Sequence, residues 1–275
     1  MRIIISKRSF TLIELLVVIA IIALLMGILM PALAKVRKQA RAAACMSQLK
    51  QWSLIWSMHT DDNDGKFPSG WMPSLQSLGG DMPRGMWVSA LKSGWEKHPK
   101  LLLCPSAIRP NPEGKHGSFD MAHTFADYKE ASGDEAIAEA SSYGMNCWAY
   151  NTHEDLQRRK EAWHWKSIDR IKQASEVPLF LDSMWRGGGP YWEDPVAIVP
   201  PKVNGQWISA RYEMMHFALD RHAGGVNVQL MDGSVCKVRV KKLWGLKWHR
   251  TFDTQHYLYA PDLWWGEWLS KVPGE

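Results

Sequence analysis

The chain has 275 residues, 46% of them hydrophobic and 22% charged, a globular balance that excludes a disordered or low-complexity polypeptide. Its net charge of +5 gathers at one end: Arg2, Lys7 and Arg8 supply +3, Phe10 to Thr60 a further +4, and Asp61 to Glu275 carries −2. A slightly acidic bulk argues against a nucleic-acid-binding surface there.

The first predicted element lies in "RSFTLIELLVVIAIIALLMGILMPALAK", Arg8 to Lys35. No residue from Leu15 to Met30 is charged, and with its apolar flanks the run reaches the roughly 20 residues that cross a bilayer. A secretory signal would have a shorter apolar core and a cleavage site after it. Here the run flows into "KVRKQARAAACMSQLKQW", rich in helix-forming Ala, Lys, Arg, Gln and Leu. One helix over about residues 10–60 is predicted, its membrane half about 10–34 and its outer half about 35–60. At 1.5 Å per residue it is on the order of 70 Å long. Gly27 and Pro31 predict a kink or local melting within it. Glu14 stands out, because a charge at the bilayer centre costs about 2.5–3.5 kcal/mol even on lenient scales. It calls for a partner. The basic residues just past the apolar run suit anionic lipid headgroups or acidic neighbouring chains.

This stretch closely resembles the N-terminus of type IV pilins and type II secretion pseudopilins. The resemblance implies that residues 1–9 are a basic leader, removed by a prepilin peptidase between Ser9 and Phe10, and that Phe10 is then N-methylated. Ser9 stands where the family usually has Gly. Glu14 falls at the fifth mature position. Cleavage creates an ammonium at Phe10, and pairing it with the Glu14 carboxylate of an adjacent subunit repays part of both desolvation costs. The resemblance further implies an inner-membrane protein with its leader in the cytoplasm and its bulk in the periplasm or in a filament. The implied partners are sister subunits, the peptidase, the inner-membrane assembly platform with its ATPase, and the bilayer. Neither a cofactor nor a catalytic residue is expected.

The helix is predicted to end at "HTDDNDGKFPSG", where turn-forming residues cluster. A calcium loop of EF-hand spacing would place Thr60 at its first acidic position and Trp71 at its closing glutamate, so this segment reads as a solvated turn. The head, residues 61–275, follows. In it "LLLCPS" and "SSYGMNCWAY" read as short strands, and "RHAGGVNVQLMDG" runs from His222 through nine residues to Asp232 and Gly233. These segments resemble a large pilin-like family named for its prepilin-type processing. A catalytic His222–Asp232 pair is disfavoured, since roughly seven strand residues at about 3.3 Å each separate them by about 20 Å. The motif reads as a strand and a hairpin. Matching its apolar faces predicts a three-residue loop, Asp232 to Ser234, with a bulge, Leu230 opposite Cys236 and Val228 opposite Val238.

Four cysteines, Cys45, Cys104, Cys147 and Cys236, would lie outside the cytoplasmic membrane, where disulfides persist; three complete pairings exist, and buried free thiols are the alternative. His216, Asp220 and His222, with Asp182 ending the strand "VPLFLD", show no diagnostic ligand spacing, so no metal is expected; His216, His222 and Asp182 are the nearest candidates. Sixteen tryptophans suit core and intersubunit packing better than a glycan groove. The expected fold is α+β and pilin-like, a long N-terminal helix whose outer half packs on an antiparallel sheet in a loop-rich head. The leading function is a structural filament subunit. A membrane-tethered glycan-binding protein and an anchored metallohydrolase are the alternatives.

Overall fold

The computed structural model describes residues 12–70, 87–112, 116–124, 140–153, 155, 159–194 and 212–259. The chain divides into two compact units, residues 1–40 and 41–275. Helix α1, Leu12–Asp62, begins in the first and ends in the second, two residues beyond the predicted stop. Its helical assignment continues through Gly27 and Pro31, so the predicted local melting does not occur. Pro31 nonetheless supplies no amide proton to the Gly27 carbonyl one turn earlier.

In the first unit every residue from Leu12 onward is exposed, including Ile19, Leu24, Ile28 and Leu29. Among the described residues this is the one helix long and apolar enough to cross a membrane.

In the second unit α1 turns a narrow stripe inward. Cys45, Leu49, Trp52 and Trp56 are buried at spacings of four, three and four residues, which place them on one face of a 3.6-residue helix. That stripe meets a five-stranded sheet of order β6-β4-β5-β7-β8, formed by β4 (Tyr143–Asn146), β5 (Pro178–Asp182), β6 (Gly187–Gly188), β7 (Gly225–Leu230) and β8 (Val235–Arg239). Ring centroids of Trp52 and Trp56 lie 5.4 and 5.9 Å from that of Phe180 on the central strand. Such aromatic pairs add about 0.5–1.5 kcal/mol each beyond the area they bury.

The head sheet is mixed where an antiparallel one was expected. β4, β5, β7 and β8 are antiparallel neighbours, but β6 runs parallel to β4. After β5 the chain reverses, and β6 pairs on the far side of β4; running against β5, it necessarily runs with β4. A smaller sheet, β1 (Arg109–Pro110), β2 (Met121–Thr124) and β3 (Ala140–Ser141), also joins one parallel and one antiparallel pair.

The β7–β8 hairpin loop has the predicted three residues, yet sits one residue earlier, at 231–233. Val228 therefore faces Cys236 and Val226 faces Val238, a register two residues from the one expected. A shift of two keeps every side chain on its predicted face, so apolar matching cannot distinguish the registers. Gly233 decides between them. It takes φ 80° and its amide donates to Leu230 O, while Leu230 N donates to Ser234 O, the arrangement of a type I turn followed by a left-handed residue.

Most tryptophans among the described residues pack the core. Trp52, Trp87, Trp148 and Trp248 are fully buried, and Trp56, Trp95, Trp165, Trp185 and Trp244 nearly so. Seven indole N–H groups donate to backbone carbonyls outside the strands: Trp52 to Leu101, Trp87 to Arg186, Trp95 to Val88, Trp148 to Pro190, Trp165 to Trp248, Trp244 to Asp194 and Trp248 to Leu243. In a loop-rich core such donors help pair buried carbonyls that lie outside the strands, alone at Leu101 O or beside a second donor as at Trp248 O, which also accepts from Asn146.

His249 stacks on Trp163, with centroids 4.9 Å apart and planes 12° from parallel, and His164 packs on Trp148. Burial, aided by Lys247 for His249 and by Arg159 for His164, holds both imidazoles down to about 3. The unfolded chain protonates them near 6.5 while the folded head keeps them neutral, so their contribution is complete above about pH 6.5 and is lost as pH falls toward 3. Thermal unfolding of the detergent-solubilised chain should show this slope, and His249→Gln should reduce it. An unchanged slope in the variant would count against His249.

Candidate functional site

Four potential ligands converge inside the second unit. Cys45 comes from the inward stripe of α1, Cys104 from the "CPS" turn, Asp182 from the end of β5, and His222 from the loop before β7. One donor atom from each lies within 4.8 Å of every other, and all four side chains are buried.

Each is held locally. In "LLLCPS" Pro105 favours an extended Cys104, and the Ser106 amide turns back to Cys104 Sγ at 3.4 Å. The same segment is fastened to "SSYGMN", since Leu102 O accepts from Ser142 N and Ser141 Oγ. Asp182 is the last residue of a fully buried central strand. His222 sits in a tight turn closed by its own amide to Gly225 O, with Ala223 and Gly224 at positive φ and the Gly224 amide donating to Asp220.

Asp182 is the hub. Its Oδ2 lies 3.1 Å from His222 Nε2 and accepts from the Asn227 amide at 2.8 Å; its Oδ1 accepts from Arg221 at 3.1 Å. Cys45 Sγ is 3.6 and 3.8 Å from the two carboxylate oxygens, and Cys104 Sγ is 3.5 Å from His222 Nε2. The Tyr143 hydroxyl approaches Cys45 Sγ at 3.2 Å and Gln48 Oε1 at 2.8 Å. Burial alone would raise the Asp182 carboxyl, but His222, the Arg221 guanidinium and the Asn227 amide outweigh it and hold it at about 2. Burial opposes charge on His222 and Cys104 as well. Asp182 and Cys104 raise His222 to about 9, while Cys45, His222 and Arg221 bring the Cys104 thiol down to about 6. Cys45 is pushed up, first by burial and then by Cys104 and Asp182.

A hydrolytic relay does not fit this geometry. His222 presents the same nitrogen, Nε2, to both Cys104 and Asp182, whereas a relay uses one nitrogen for the nucleophile and the other for the carboxylate. The arrangement suits a closed cage of donors.

Of the residues singled out as metal candidates, His222 and Asp182 meet here, and His216 does not. Its Nδ1 lies 2.7 Å from Gly187 O at the other edge of the sheet, because the turn Glu213–His216 packs against β6. Of the two alternatives for the cysteines, paired or unpaired, the structure has the second. All four cysteines are free thiols: Cys45 and Cys104 enter the cluster, Cys147 is buried beside Met145 O, and Cys236 is half-buried on β8. His222 and Asp232 stand at opposite ends of β7. Asp232 is exposed in the turn, accepting from the Ser234 amide at 2.9 Å, and Gly233 O accepts from Lys50 of α1. The motif is architectural at its turn and a cluster ligand at its histidine. Arg221, Tyr143 and Asn227 went unread in the sequence. The burial of Cys45 was legible, since it continues the Leu49, Trp52 and Trp56 stripe.

Glu14 lies in the first turn of α1; Ser9 and Phe10 lie outside the described residues. A family model, the prokaryotic N-terminal methylation motif, matches residues 5–30, so the chain carries the type IV pilin and pseudopilin signal. No curated protein and no solved structure matches the chain.

Asp182→Asn leaves the buried Arg221 charge uncompensated and should cost about 3–5 kcal/mol in urea unfolding. Asp232→Asn, an exposed change, should stay within about 0.5 kcal/mol. Equal effects at the two positions would contradict the asymmetry described.

Proposed function

We propose that this protein is a structural subunit of a type IV pilus or type II secretion pseudopilus, cut between Ser9 and Phe10, methylated on Phe10 and assembled through α1. The observation that carries this reading is the methylation motif at residues 5–30, set at the head of a helix whose apolar side chains between Leu12 and Val36 are all exposed in the single chain. Such a surface demands lipid or neighbouring helices. An inner-membrane anchor supplies the first and a filament core the second.

Glu14 connects the two environments. In the bilayer its carboxylate is costly, and the ammonium released at Phe10 of a neighbour offers it a counter-charge on docking. The leader stays in the cytoplasm and the head faces the periplasm. Sister subunits, prepilin peptidase and the assembly platform with its ATPase are the partners, and the protein itself performs no catalysis. Among the described residues, nine buried tryptophans support this reading over a glycan-binding head, because those rings are spent on the core.

Mass analysis of the mature N-terminus should find N-methylated Phe10, and Glu14→Ala should abolish filament incorporation while leaving membrane insertion intact. A retained leader, or normal assembly of the variant, would refute the proposal.

A further inference from the structure

We propose that Cys45, Cys104, Asp182 and His222 bind one zinc ion in a closed tetrahedral site that clamps the outer half of α1 to the head sheet. The first argument is metric. Zinc bonds of about 2.3 Å to sulfur and about 2.0–2.2 Å to nitrogen and oxygen imply tetrahedral edges of about 3.3 Å between N and O and about 3.5 Å between either atom and S. The observed edges are 3.1 Å for His222 Nε2 to Asp182 Oδ2, 3.5 Å for His222 Nε2 to Cys104 Sγ, and 3.6 and 3.8 Å for Cys45 Sγ to the Asp182 oxygens. Four donors already stand at the spacing of one coordination sphere.

The second argument is one of pairing. One imidazole nitrogen carries at most one proton, yet His222 Nε2 faces a carboxylate and a sulfur together, and a second sulfur faces the same carboxylate. Hydrogen bonds satisfy this convergence poorly, whereas a cation satisfies all four lone pairs at once. The surrounding shell has the polarity that anionic ligands require. The Ser106 amide donates to Cys104 Sγ, the Tyr143 hydroxyl points at Cys45 Sγ, and the Asn227 amide and Arg221 donate to Asp182.

The third argument is charge. Zinc(II) with two thiolates, one carboxylate and a neutral imidazole carries −1, which the adjacent Arg221 guanidinium, itself fully buried, brings to neutrality. Two sulfurs and one imidazole in tetrahedral array select zinc over the hard, oxygen-seeking calcium and magnesium. Four protein ligands leave no open position, so the ion is structural, and its binding energy becomes folding energy for the junction of helix and sheet.

The test uses the full-length protein purified in detergent. The wild type should hold about one zinc per chain by elemental analysis, released on thiol modification. Cobalt(II) loaded in its place should give tetrahedral d–d bands and thiolate-to-cobalt charge transfer. Cys104→Ser and His222→Gln should each lower bound zinc at least about tenfold, while Cys236→Ser leaves it unchanged. Because those variants can fail to fold, the wild type is also stripped with chelator: its melting temperature should fall and recover with zinc but not with magnesium. A Cys45–Cys104 disulfide in the purified protein, the absence of stoichiometric zinc from zinc-supplemented preparations, or a melting temperature indifferent to chelator and zinc would each overturn the proposal.

Discussion

A carboxylate without water sets the plan of this head. Asp182 ends the central strand with no exposed surface, and its charge is met by Arg221, whose five N–H donors are all engaged, by Phe119 O, Ser142 O, Ser118 O, Ser183 O and Asp182 itself. Burying two ions is costly, and only a shell that satisfies every donor and acceptor repays it. The shell here is drawn from the loop before β2, the start of β4, the turn after β5 and the loop before β7. One ion pair therefore fixes the relative positions of segments far apart in the chain, and the same pair positions Cys45, Cys104 and His222 around it.

The tryptophans address a related difficulty. A head with short strands and many three-residue helical turns leaves numerous buried carbonyls without ladder partners. An indole provides apolar volume and one donor at its edge, so it fills space and satisfies a loop carbonyl at once. Trp52 illustrates the economy: it packs on Phe180 and Trp87, and its N–H reaches Leu101 O, in the short 3-10 helix Pro99–Leu102 three residues before Cys104. Helix, sheet and loop are joined through one side chain.

The two units of the chain solve opposite problems. Residues 12–40 expose an apolar surface that water does not favour, on a helix that carries the pilin-type methylation signal and is long and apolar enough to cross a membrane. In the second unit, residues 41–275, the inward stripe of α1 is built into a buried core. The proposed zinc ligand Cys45 opens that stripe, so the clamp acts on the first buried turn of α1.

The sequence by itself determined whatever depends on local composition and period. The apolar run with its pilin-type signal, the extent of α1, the α+β class, the strand ending in Asp182 and the three-residue hairpin loop all follow from neighbours within a few turns of helix or strand. Of the short segments "LLLCPS", "SSYGMN" and "RHAGG", the second forms the predicted strand, whereas the first, read as a strand, is the end of a 3-10 helix, Pro99–Leu102, and a turn. That they meet around Asp182, with Cys45 arriving from a helix 137 residues away in sequence, was decided only by the tertiary structure. So were the parallel β6 and the two-residue register shift. Local pattern records which face a residue occupies; it carries no information on which distant residue shares that face, because that choice belongs to the packing of the whole core.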